Sequence, residues 1–96
     1  MLSFLPETPN EVQLILKEKF KKQRKSLKIT QQNLANKSGV SLGSIKRFEQ
    51  TGQISLDSLL KIAFVLECLD GFEKVCEQGE EERFKSIEEI IKKGNL

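Results

Sequence analysis

With 96 residues, 38% of them hydrophobic and 31% charged, the chain has room for one small domain and the balance of a folded, soluble protein. No apolar run approaches the ~20 residues of a membrane span, and the absence of histidine excludes a Cys/His zinc site. The net charge of +2 is uneven: residues 1–52 hold ten Lys/Arg against four Asp/Glu, and residues 53–96 hold six against ten. A basic half suited to a polyanion is thus joined to an acidic half.

Residues 1–8 read as an N-terminal arm in which Leu2, Phe4 and Leu5 are apolar enough to dock. The opening MLSFLPETP has neither the basic region nor the sustained apolar core of a secretory leader, and the expected compartment is the cytoplasm. Thr8-Pro9-Asn10-Glu11 predicts a helix start, with a Thr cap, Pro at the first helical position and Glu closing a capping box. This first helix should run to about Ser26 and bury a stripe of Val12, Leu16 and Phe20. Thr30 is the next cap, and a second helix from Gln31 to about Lys37 turns Leu34 and Ala35 inward. Gly39 supplies the left-handed residue that a tight stop needs. Ser41 caps a third helix that ends near Gln50, with Thr51-Gly52 as its stop. A fourth helix starts at Ser55, and Ile54 and Leu59 can staple its entry. It carries Leu56, Leu59, Leu60, Ile62, Ala63, Phe64, Val65 and Leu66, more apolar surface than one small core needs. Asp70-Gly71-Phe72-Glu73 reads as a box-like start of a short fifth helix ending near Gly79. Cys68 and Cys76 are expected to be free thiols. After the acidic run Glu80, Glu81 and Glu82, a last amphipathic segment carries Ile87, Ile90 and Ile91. The expected organisation is an arm over 1–8, an all-α five-helix domain over 9–78 and an acidic C-terminal extension over 79–96.

Residues 31–52, QQNLANKSGVSLGSIKRFEQTG, have the spacing of a helix-turn-helix, with the motif proper over 31–50. Two helices crossing steeply need a short turn and small residues where they meet. Ala35, Gly39, Val40 and Ile45 meet those needs and build the motif without touching DNA. Gln31 lies where the free N–H groups of a helix start attract phosphate, so it can clamp a DNA backbone without reading sequence. On the third helix, Ile45 and Phe48 face inward, while Gly43, Ser44, Lys46 and Arg47 can enter a major groove. Arg47 can make a bidentate pair with guanine, and Lys46 can do likewise or take a phosphate. Leu42 can meet a thymine methyl, and Gly43 admits a close approach of DNA to its backbone. The candidate DNA-binding set is Thr30, Gln31, Ser41, Leu42, Gly43, Ser44, Lys46, Arg47 and Gln50. There is no His, no Tyr, no Gly-rich phosphate loop and no cysteine partnered by a base. An enzyme is therefore not expected, nor a cofactor. An interaction module that kept the fold without DNA is the alternative, because fold does not fix function.

From about Leu16 to Leu69 the chain resembles the Cro/C1-type, or XRE-family, helix-turn-helix domain. The resemblance is carried by Thr30-Gln31, Leu34-Ala35, Gly39-Val40-Ser41, Ile45, Arg47, Glu49, Gly52 and the run from Leu59 to Ala63. It implies a five-helix, lambda-repressor-like DNA-binding domain, usually a homodimer on an inverted-repeat operator. It also implies a structural ion pair between Arg24 and Glu49. Two positions depart from the pattern: Gly43 stands where a polar base-contacting residue is common, and Asn33 replaces the usual acid in the first turn of the second helix. The run LLKIAFVLECLDGFEKV, followed by the acidic stretch and SIEEIIKK, resembles HipB-type antitoxins. That second resemblance implies an autoregulatory repressor paired with a HipA-like serine/threonine kinase toxin. A free-standing phage-type or chromosomal repressor is the alternative.

Overall fold

The computed structural model describes residues 8–77 and Ile91. The expected arm (Thr8 apart) and the expected acidic extension (Ile91 apart) lie outside the described residues. Among the described residues, five helices follow in order: α1 (Pro9–Ser26), α2 (Gln31–Ser38), α3 (Leu42–Thr51), α4 (Leu56–Val65) and α5 (Asp70–Glu73). The fold is all-α, with no strand among the described residues.

Each of the first four helices is started by a hydroxyl. Thr8, Thr30, Ser41 and Ser55 sit in extended backbone, and their side-chain oxygens accept the N–H of Glu11, Asn33, Ser44 and Ser58 at 3.0–3.1 Å. Each bond satisfies one of the donors that a helix start leaves open. Pro9 stands in the first turn of α1, where its missing N–H costs nothing. The α2 and α3 ends turn on Gly39 (φ +78°) and Gly52 (φ +82°). Two other exits use left-handed residues without glycine. After α1, Lys28 has φ +59°, and the Ile29 N–H reaches back to the Arg24 carbonyl at 3.1 Å. After α4, Glu67 has φ +63°, and the Cys68 N–H reaches the Ala63 carbonyl at 2.9 Å. Both exits have the Schellman pattern of a left-handed residue followed by a long back-bond.

α1 and α2 both pack on α3, and α2 also packs on α4. Leu34, Ile45, Phe48, Ile62 and Leu66 form the driest part of the core. Phe20 meets the Phe48 ring edge-on at 5.6 Å and the Phe72 ring at 6.0 Å, so three elements share one aromatic cluster. The Gln23 amide of α1 donates to the Leu66 carbonyl at 2.8 Å, tying α1 to the end of α4.

Two expectations need correction. Val12 is not part of a buried stripe: it is 41% exposed, beside Leu14 and Ile15 at similar exposure. Burial on α1 begins only at the half-buried Leu16 and is complete at Phe20. The fifth helix is not a box-capped element reaching Gly79. It is four residues long, and its cap position is Leu69, which is already helical and offers no side-chain acceptor. Packing of Phe72 on Phe20, rather than capping, sets its place.

Candidate nucleic-acid interface

The α2–α3 unit takes its angle from Gly39 and its support from Val40. The Gly39 N–H bonds the Ala35 carbonyl at 2.9 Å, the chain turns, and Val40 is buried at the corner. The Ser38 hydroxyl accepts the Val40 N–H at 3.1 Å. α3 then stands on Ile45 and Phe48, 0% and 2% exposed. With this face anchored, helical periodicity sends Gly43, Lys46, Arg47 and Gln50 outward, and all four are exposed. A Cβ at Gly43 would meet nothing within 4 Å, so the helix surface is open there.

The other sequence candidates also take part in the fold. Leu42 is half-buried and packs against the core. Ser44 is half-buried and accepts a 2.8 Å hydrogen bond from the Ser41 hydroxyl. Thr30 and Ser41 are exposed at the starts of α2 and α3, with their oxygens engaged in capping.

Gln31 is more constrained than a surface clamp. Its amide donates to Glu49 Oε1 at 2.9 Å, and the same carboxylate meets Arg24 in a two-pronged pair, Nε to Oε2 at 2.7 Å and Nη2 to Oε1 at 2.9 Å. Arg24 Nη1 donates to the Ile29 carbonyl at 2.9 Å. Arg24 and Glu49 are 8% and 7% exposed. Burial pushes the Glu49 carboxyl up, but hydrogen bonds from Arg24 and Gln31, with the charges of Arg24 and Lys21, outweigh it. The pKa lies below the ordinary glutamate value. This network locks α1, the α2 start and α3 into one frame and leaves the Gln31 carbonyl oxygen and one amide hydrogen for other partners.

Sequence reasoning missed Thr51 and Gln53. Thr51 Oγ1 donates to the Arg47 carbonyl at 2.8 Å, and the Gln53 Oε1 accepts from Arg47 Nη2 at 2.6 Å. The available signal was weak: a polar amide placed just past a glycine stop, within reach of an outward arginine. Cys68 is half-buried, Cys76 is exposed, and both are free. Burial first, then the charge of Asp70, pushes the Cys68 thiol up. Among the described residues, no acid or cysteine cluster is able to hold a metal, and no helix is long and apolar enough to cross a membrane.

An α2 anchored by buried Leu34 and Ala35, a glycine corner and an α3 with one anchored and one outward polar face define a helix-turn-helix protein. The helix-turn-helix family model HTH_3 matches residues 20–68, just over half of the chain, and the chain belongs to this family, of the Cro/C1 (XRE) type. It is a DNA-binding transcription regulator. No curated protein and no solved structure matches it.

Proposed function

We propose that the protein is a sequence-specific repressor that binds an inverted-repeat operator as a homodimer. The observation that carries this is the outward face of α3, Gly43, Lys46, Arg47 and Gln50, standing on a fully buried Ile45 and Phe48. A rigid polar face of this kind fits a major groove, where bidentate side chains discriminate bases. Thr30, Gln31 and Ser41, at the two helix starts, take phosphates and set the register. Lys46 takes a phosphate or a base, and Arg47 reads guanine. The Arg24–Glu49 pair does not read DNA; it holds Gln31 and α3 at a fixed spacing.

Within this reading, the protein represses its own operon as the antitoxin of a HipA-like kinase toxin. The support is the HipB-like character of the run from Leu59 to Val75 and of the acidic segment beyond it. The test is a fluorescence-polarisation titration against the DNA upstream of its own gene, beside a scrambled duplex, at two salt concentrations. Nanomolar, salt-sensitive binding that beats the scramble by ~10³ is expected. Equal, weak binding to both duplexes would reject the repressor and favour a protein-interaction module.

A further inference from the structure

The exit of α3 is closed by a ring of hydrogen bonds that begins and ends on Arg47. The Thr51 hydroxyl donates to the Arg47 carbonyl at 2.8 Å. The Gln53 backbone N–H donates to Thr51 Oγ1 at 3.1 Å. Arg47 Nη2 donates to Gln53 Oε1 at 2.6 Å. The ring spans Gly52, whose φ of +82° turns the chain back. That turn is itself held in place, since a Cβ at Gly52 would lie 3.0 Å from the Gln13 carbonyl oxygen. Gln53 is exposed, yet its backbone and its side chain are both tied down.

We propose that Gln53 is a positioning residue for base recognition: it presets the Arg47 guanidinium, with Thr51 fixing Gln53 in turn. The inference rests on the proposal that Arg47 reads a base. A guanidinium has five N–H donors, and Gln53 is the side-chain partner it has among the described residues. Enough donors remain to form the fork that guanine O6 and N7 require. An unheld arginine must give up its rotamer freedom when it binds, and it can also swing to a phosphate, a contact blind to sequence. Gln53 removes both alternatives before DNA arrives. An amide suits this task better than a carboxylate, because it orients the arginine without cancelling its charge. The shallow cavity around the pair is lined by Ser44, Ile54, Ser55 and Ser58, so no acid competes there.

The test is site selection from a randomised duplex pool with the full chain, comparing wild type, Arg47→Ala, Gln53→Ala, Gln53→Glu, Thr51→Val and the Arg47→Ala/Gln53→Ala double variant. Circular dichroism melting checks that each variant is folded. Arg47→Ala should erase at least about fivefold of preference at one base pair. Gln53→Ala should lower preference at that same base pair by about threefold and leave other positions alone. Thr51→Val should act in the same direction, and the double variant should match Arg47→Ala. Gln53→Glu should keep the preference while weakening affinity for every sequence. If Gln53→Ala alters a different base pair, Gln53 reads a base itself; if it weakens all sequences evenly, it holds the backbone. Either result overturns the positioning role. An unchanged profile for Arg47→Ala would instead overturn the base-reading role on which the inference rests.

Discussion

Glu49 is the residue on which the α1–α2–α3 frame depends. Its two oxygens take three donors, from Arg24 Nε, Arg24 Nη2 and Gln31 Nε2. A carboxylate this buried is favourable only while those donors remain. Glu49→Ala should therefore cost about 3 kcal/mol, read by urea denaturation at neutral pH, because it strands the Arg24 charge in a dry site. The same residue gives stability a pH dependence whose sign is fixed. Its pKa in the folded protein is depressed, so its contribution is complete above the ordinary glutamate pKa and is lost as pH falls through the folded value. The stability gap between wild type and Glu49→Gln should narrow across that acidic window and stay constant above it; a gap independent of pH would remove the charge from the account. Periodicity could not place Arg24 beside Glu49, which lies 25 positions away in the chain; family resemblance alone suggested the pair. Gln31 was legible as a helix start, but the arrival of Glu49 next to it is a tertiary event that local reading does not contain.

At the scale of elements, the helix starts were legible because capping is local. A hydroxyl and the N–H three residues on are close in sequence, so Thr8, Thr30, Ser41 and Ser55 announced themselves. The exits divide into two kinds. Gly39 and Gly52 are the residues that turn grammar expects at positive φ. Lys28 and Glu67 adopt the same backbone region without glycine, held by back-bonds to Arg24 and Ala63, and no composition signal marks them. The start of α5 at Asp70 was legible, but its length and its lack of a cap were not: it is four residues long, without a side-chain cap, and Phe72 packs on Phe20. The two glycine exits make a graded prediction. A Cβ at Gly39 meets nothing within 4 Å, so Gly39→Ala carries only the backbone cost of a left-handed alanine, about 1 kcal/mol. At Gly52 the same Cβ also presses on the Gln13 backbone at 3.0–3.2 Å. Gly52→Ala should then cost about 2 kcal/mol or more. Thermal unfolding of the two variants checks the order; equal losses would mean that α1 yields freely at Gln13.

Among the described residues, two unlike surfaces stand out. One is polar and basic, the outward face of α3 with Lys46 and Arg47. The other is apolar, around α4 and α5, where Phe64 is 71% exposed and Leu56 66%. Leu60, Leu69 and Phe72 line the groove beside Phe64, with Glu67, Asp70 and Glu73 along it. Lys37 and Lys61 border an adjoining cavity that shares Leu60, Phe64 and Leu69, with Asp57 paired to Lys61 at 3.0 Å. Both signs of charge thus rim one apolar patch, an arrangement that a twofold axis can satisfy by setting acids against lysines. Exposed apolar surface of this kind costs solubility unless it is covered, and the proposed homodimer would cover it on both subunits. Phe64→Ser removes the most exposed aromatic among the described residues without opening the core, so the monomer should keep its melting behaviour. Losing about 1.5 kcal/mol from each of two buried rings should weaken dimerisation about a hundredfold. Sedimentation velocity at micromolar concentration should then show monomer for this variant, against the dimer proposed for the wild type. The consequence for DNA separates this surface from the reading helix. Two α3 helices held ~34 Å apart gain from an inverted repeat, whereas one helix binds a half-site unaided. Phe64→Ser should therefore lower affinity for the full operator and leave half-site affinity unchanged. A wild type that sediments as monomer across the micromolar range would reject the dimer and leave the patch for another partner.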